Sequence, residues 1–242
     1  MSISDIHSLS ILRKLGNGVT IDQLCDENGW SRTQFGTWFD DECQRRVPNA
    51  DSAVNGSIKN PVTVARDSFG IPSIFAESAS DMFFGFGVAM AQDRLFQMDF
   101  LRRRGLGELS ELLGPSHLEL DRTARIIGLH RSARAQWHDL DAHTKMVLER
   151  FSDGVNHVIE NLADLPPIEY SILDAQPRRW TPIDSIACEV EFQWYLTGRF
   201  PIICIPELVR RALGDTPLYE QFICGEAENE AILPTGSYTP IP

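Results

Sequence analysis

Inside residues 91–99, AQDRLFQMD, four polar side chains (Gln92, Asp93, Arg94 and Gln97) interrupt an otherwise oily run, and Arg102, Arg103 and Arg104 follow it. Polar groups so placed must be paired if they are buried, because an unpaired buried charge would unfold a marginal domain. Three consecutive arginines can cradle a phosphate, but Glu108 and Glu111 follow closely and weaken the field such a site would use. The arrangement that satisfies these charges locally is a salt-bridge network between Asp93 or Asp99 and the arginine cluster. Elsewhere the reactive side chains are dispersed. His130 and His138 have no partner at metal-ligand spacing, and Cys25, Cys43, Cys188, Cys204 and Cys224 are odd in number and lack a CxxC pair. This pattern suggests reduced thiols rather than a disulfide frame or a zinc site. No nucleophile stands beside a matching base.

The polar run needs a scaffold, and residues 61–114 supply one. Val62 and Val64 alternate, and Ile71, Ile74 and Phe75 resume after Asp67-Ser68-Phe69-Gly70, which predicts two short strands joined by a turn. Gly70 is free to take a positive φ there, and Asp67 can bond back to the turn. A helix is expected to start near Ser78, whose hydroxyl can cap it while Asp81 favours the positive end of its dipole. From residue 81 to about 104 the pattern is helical. Gly85 and Gly87 cost helix propensity that only close backbone packing would justify.

The rest of the chain organises around that stretch. At 242 residues and 43% hydrophobic, it can bury a sizeable core. A formal charge of −12 argues against nonspecific binding to nucleic acid or to anionic membranes. No apolar run approaches the length of a membrane span. The N-terminus lacks the features of a secretory signal, so a cytoplasmic protein is expected. Residues 1–48 read as a small helical unit in which Thr20 with Gln23 and Ser31 with Gln34 form capping boxes. The pair resembles a helix-turn-helix, but Asp40, Asp41 and Glu42 occupy the half that would have to be basic to read DNA. A packing or docking module, dispensable for chemistry, is the expectation. Residues 49–60 are small and polar and read as a linker to the region 61–242. A core-facing helix follows over about 140–162, and another starts at Thr181-Pro182 and breaks at Gly198 and Pro201. The aromatic and aliphatic residues at that helix end could make a pocket wall, and plain core is the competing role for them.

Residues 66–114, RDSFGIPSIFAESASDMFFGFGVAMAQDRLFQMDFLRRRGLGELSELLG, are very similar to the N-terminal part of the light (α) chain of the penicillin acylase family of N-terminal-nucleophile hydrolases. The matching positions are Arg66, Asp67, Gly70, Pro72, Asp81, Gly85, Gly87, residues 91–98, Arg102, Arg103, Gly107 and residues 111–114. Ser73 departs from the pattern, since the family commonly has His there. A weaker likeness continues through Asp121, Arg125 and QPRRWTPIDSIA to about residue 213.

The resemblance implies an α+β protein with an αββα fold shared with a longer heavy chain, this chain being mostly helical. It implies an N-acyl amide hydrolase made by autoproteolysis of one precursor. The nucleophile would be a Ser at the heavy chain's new N-terminus, with its own amine as base, so no catalytic residue is expected in this chain. A further expectation is that residue 242 lies at or near the processing site. In the family, an Arg-Phe pair at the end of the 182–197 helix, and an apolar residue three before the Arg, border the acyl pocket; Arg199, Phe200 and Leu196 hold those positions. A glutamate shortly after that pair ligates calcium together with heavy-chain oxygens, and Glu207 is the candidate. The implied partners are the heavy chain and a small-molecule amide. The competing reading is a regulatory or docking protein whose acylase-like region is inert.

Overall fold

The protein is described here from a computed structural model covering residues 3–47, 51–54, 60–162, 165–197 and 200–223. The chain divides into two compact units, residues 1–192 and 193–242.

The first unit opens with three helices, α1 (Ile3–Gly16), α2 (Ile21–Asn28) and α3 (Arg32–Gln44). They close around Ile11, Leu24, Cys25 and Phe35, with Trp30 and Trp38 packed against that cluster. Both capping boxes form. The Thr20 hydroxyl accepts from the Gln23 amide at 3.3 Å while the Gln23 side chain accepts from the Thr20 amide at 3.0 Å, and Ser31 and Gln34 repeat the exchange at 3.2 and 2.8 Å. Each box satisfies two backbone donors that a helix start leaves unpaired.

A three-stranded antiparallel sheet follows in the order β1 (Asp51–Val54), β2 (Val62–Arg66), β3 (Pro72–Phe75). The β2–β3 turn matches its sequence grammar: the Asp67 carboxylate accepts from the amides of Phe69 and Ile71, each at 2.9 Å, and Gly70 takes φ 78°. Strand β1 lies in the segment that composition reads as linker. It pairs Ala53 with Thr63 and Val54 with Val62. Its sequence, DSAV, has no aromatic and a single β-branched residue, so the ladder comes from β2 rather than from intrinsic propensity.

Ser78 caps the long helix α4 (Ala79–Leu106), accepting from the Asp81 amide at 3.1 Å. Val62 and Val64 turn inward from β2 and are fully buried, and Gly85 lets Val62 and Ile74 settle directly on the α4 backbone. After α4 come α5 (Ser110–Leu113), a 3₁₀ turn, α6 (Leu118–Ile127), α7 (Leu129–Asp139), α8 (Ala142–Asn161), the single-turn α9 (Ile168–Ile172) and α10 (Pro182–Thr197). Helix α8 starts at Ala142, two residues after the start of its apolar stripe, capped by Asp141, whose carboxylate accepts from the amides of His143 and Thr144.

Helices α4 and α8 touch backbone to backbone. A Cβ at Gly87 would meet the Phe151 carbonyl, and one at Gly154 would meet the Phe84 carbonyl, so the two helices run antiparallel with a glycine on each side of the contact. Around this crossing Ala91, Leu95, Met98, Val155, Tyr170 and Trp180 form the main core. A second cluster of Ala124, Leu129, Ala133, Ile186, Ala187 and Val190 joins α6, α7 and α10.

The second unit contains the last residues of α10, then α11 (Phe200–Leu213) and α12 (Pro217–Ile223), which pack on each other. Pro201 falls in the first turn of α11, where its missing N–H costs nothing. No helix among the described residues is long and apolar enough to cross a membrane.

Two glycine variants test the backbone contact. Gly154→Ala should destabilise the protein by roughly 1–3 kcal/mol through overpacking. Gly36→Ala in α3, where a Cβ meets only open space, should instead stabilise it by roughly 0.4–1 kcal/mol. Urea unfolding midpoints of the two variants report the contrast.

Candidate functional site

The polar residues of α4 divide between two jobs. Asp99 and Arg102 are almost fully buried. One Asp99 oxygen accepts from Nε of Arg102 at 2.7 Å and from Nε of Arg103 at 2.9 Å, and the other accepts from the Tyr170 hydroxyl at 2.8 Å. Arg102 spends its remaining donors on the carbonyls of Arg178 and Arg179, at 2.8 and 3.0 Å, and on Asp184 at 3.3 Å. Its guanidinium also lies 4.8 Å from the centre of the Trp180 ring. Asp184 in turn accepts from the Thr181 amide at 2.7 Å and its hydroxyl at 2.9 Å, tying down the first turn of α10. Burial, then the Asp99 charge and hydrogen bond, push the Tyr170 phenol up, so it stays protonated and donates.

Asp93 serves the other job. It pairs with Arg66 at 2.9 Å, and Gln92 accepts from the same guanidinium at 3.1 Å, which pins the β2–β3 hairpin to α4. Of the two partners that the sequence leaves open for the arginine cluster, Asp99 is the one it uses. Arg103 also reaches Glu111 at 3.1 Å, and Arg104 reaches Glu191 at 2.9 Å. Each cluster arginine therefore has a carboxylate, and the phosphate reading of the triplet has no free cation to stand on.

At Arg94 the α4 backbone leaves helical geometry, with φ −140° and ψ 17°. A cleft of about 590 Å³ opens at this kink, lined by Arg94, Phe96 and Gln97 together with Cys43, Val47 and Ile168. No sequence signal marked the kink, since neither Pro nor Gly stands there. Nucleophile chemistry is weak in the described residues. Cys188 is a half-buried thiol beside the ionic cluster, and burial, then the neighbouring Asp184 charge, push it up to about 12, which keeps it protonated.

The last turns of α10 present Phe192, Trp194, Tyr195 and Leu196, all at least one-third exposed. Sequence reasoning singled out Leu196 and missed the three aromatics beside it. The sequence signal for them is a helix end with four large apolar side chains among residues 192–196, a pattern that a buried helix end would carry as well. Leu196 is 59% exposed. Arg199 lies outside the described residues, and Phe200 opens α11 with its side chain outside them too.

Glu207 sits on the exposed side of α11, where Arg210 holds one carboxylate oxygen at 3.0 Å and Arg211 holds the other at 2.8 Å. These hydrogen bonds keep its carboxyl below the usual carboxylate range. No group of three or more His, Cys, Asp or Glu comes together among the described residues. The described residues alone do not fit a calcium ion. A ligand role for Glu207 would require both guanidiniums to release it and oxygens to arrive from another chain.

Comparison with known proteins decides the lineage. The family model described as penicillin amidase matches residues 61–222. The chain belongs to the penicillin amidase family. Similar to this family member are the penicillin acylase 2 proenzyme of Pseudomonas sp. (strain SE83), 42% identical over 127 residues, and acyl-homoserine lactone acylase QuiP of Pseudomonas aeruginosa, 30% identical over 151 residues. The first match covers 52% of this chain and 16% of the relative, and the second 62% and 18%. The chain therefore spans less than a fifth of the length of the curated relatives it matches. A thermostable penicillin G acylase from Alcaligenes faecalis shares its fold with a TM-score of 0.58 and 26% identity, over 80% of this chain and all of that one. As a penicillin amidase family member, the chain corresponds to the N-terminal, light-chain region of the family.

The ionic cluster makes a strong stability prediction. Asp99→Ala leaves two buried guanidiniums short of a partner and should cost about 3–5 kcal/mol. Tyr170→Phe removes one hydrogen bond to a charged group and should cost about 1.5–3 kcal/mol. In a double-mutant cycle read by chemical denaturation, the two losses should be strongly non-additive.

Proposed function

We propose that this chain is the light chain of an N-acyl amide hydrolase whose catalytic serine is supplied by a heavy chain from the same precursor. The observation that carries this reading is the family match over residues 61–222, in a chain that covers only 16% of a relative named as a proenzyme. Relatives named as penicillin and acyl-homoserine lactone acylases support hydrolysis of a small-molecule amide. The surface supports a missing partner. Phe69, Ile71 and Phe75 along the hairpin and Leu118, Leu120 and Ile126 on α6 are all more than half exposed, more than a finished monomer ordinarily leaves in water. With α4 covering one face of the sheet, a second sheet on the other face, itself covered by helices, would complete an αββα arrangement.

In this reading the N-terminal serine hydroxyl of the heavy chain attacks the amide carbonyl while its own α-amine accepts the proton. The tetrahedral intermediate collapses as the amine leaves with that proton, and water then releases the acyl group as a carboxylic acid. Leu196 and Phe200 form apolar wall against the acyl group, and the Arg199 guanidinium orders the break between α10 and α11 or binds a substrate carboxylate. Calcium bound through Glu207 belongs to this reading as a structural contribution of the assembled enzyme.

Mass spectrometry of the purified full-length protein tests the assignment. Two chains are expected, the larger beginning with a free N-terminal Ser, and Ser→Ala at that position should leave a single unprocessed precursor. One unprocessed species with full amidase activity would refute it. Phe200→Ala should shift the preference between long and short acyl chains by about 1–3 kcal/mol in kcat/KM. Falling stability with unchanged preference would make Phe200 plain core.

A further inference from the structure

Helix α9 is a single turn of five residues, too short to hold its own geometry. Yet Tyr170 on it is fully buried and supplies the hydroxyl that completes the Asp99 cluster. Something must fix α9 from its other side, and the N-terminal helices do so. Helix α1 packs on α9, and at its last residue, Gly16, an added Cβ would strike the carbonyl of Ile172. Arg46, just after α3, buries its guanidinium between the Glu42 carboxylate at 2.8 Å and the Pro166 carbonyl at 3.1 Å, immediately before α9. Arg13 pairs at 2.8 Å with Asp174, immediately after α9, a residue held at φ 51°. Both flanks and the last residue of α9 are thus gripped. These helices also furnish Cys43 and Val47 to the wall of the cleft at the α4 kink. None of them falls in the range matched by the family model.

We propose that residues 3–47 are a permanent intramolecular brace: they dock on α9 and, through Tyr170, hold the Asp99 cluster and the start of α10 in place. Composition alone reads these helices as a packing or docking module, dispensable for chemistry, and the contact geometry makes α9 the element on which they pack. The interface is built for one arrangement, because the glycine-to-carbonyl approach tolerates no rotation and the Arg46 donors are shared across it. The brace is a property of this chain's own packing and does not depend on the reaction proposed above.

The test cuts the tether and leaves the interface. A protease site inserted within residues 48–50 of the full-length protein is cleaved in the folded state, and the product is run on size exclusion. The N-terminal fragment is expected to co-elute with the remainder. A fragment that separates at once, while the remainder keeps its thermal midpoint, would overturn the proposal. Hydrogen exchange gives a second readout at the Leu173 and Ala175 amides, which bond to the Glu169 and Tyr170 carbonyls. Gly16→Ala should speed their exchange by about tenfold or more, the signature of local opening. Arg13→Ala, which removes only an exposed pair, should change it less than about twofold. Unchanged exchange in Gly16→Ala would also overturn the brace. If that variant does not fold, the cleavage result decides alone.

Discussion

A carboxylate at Asp99, sealed from water, is the constraint from which most of this architecture follows. An isolated buried carboxylate costs several kcal/mol even after relaxation, so its partners must all be present and well placed. Here they come from three places in the chain: Arg102 and Arg103 from its own helix, Tyr170 from α9, and, through Arg102, the carbonyls of Arg178 and Arg179 and the carboxylate of Asp184. Two carboxylates and two guanidiniums balance the charge. Because each hydrogen bond has a narrow distance and angle, the cluster sets where α9 and the start of α10 can sit relative to α4. An apolar core of the same volume would be as stable or more so, but it would not fix those positions as tightly.

The glycines set the complementary constraint. Helix α4 is covered by the sheet at its first half, by α8 along its middle and by the ionic cluster at its second half, so it carries apolar residues on most sides rather than on one stripe. Such a helix can be surrounded only if some neighbours come to backbone distance. Gly85 admits the sheet, and Gly87 with Gly154 admits α8. At Gly105, where an added Cβ would meet the Ala187 carbonyl, α10 gains the same approach. Loss of helix propensity at these positions, about 1 kcal/mol each, is offset by the packing that they permit.

These two constraints explain what could be read from the amino-acid sequence. The β2–β3 turn, the Ser78 cap and both capping boxes were legible because each is a local contract between residues two to four apart. The need for close packing at Gly85 and Gly87 was legible from propensity alone. The ionic network was legible as a requirement, but its wiring was not: Asp93 and Asp99 look equivalent in AQDRLFQMD, and only the fold sends one to Arg66 and the other to the arginine cluster. Strand β1 and helix α9 escaped because neither carries its own signal; each is imposed by the partner it lies against. The kink at Arg94 escaped for the same reason. At the end of α10, Leu196 was singled out by its likeness to the family, whereas the exposed Phe192, Trp194 and Tyr195 were passed over because exposure cannot be told from burial without a fold.

The residues that most firmly place the chain in its family do no chemistry that the structure shows. Arg66, Gln92, Asp93, Arg102 and Arg103 are all engaged in holding helices and a hairpin together through hydrogen bonds and ion pairs within the protein. A polar motif spent this way keeps its residue types only while the same helices meet at the same angles, so it reports fold rather than substrate. The start of α10 is held by the same network, through Asp184 and the Arg102 guanidinium.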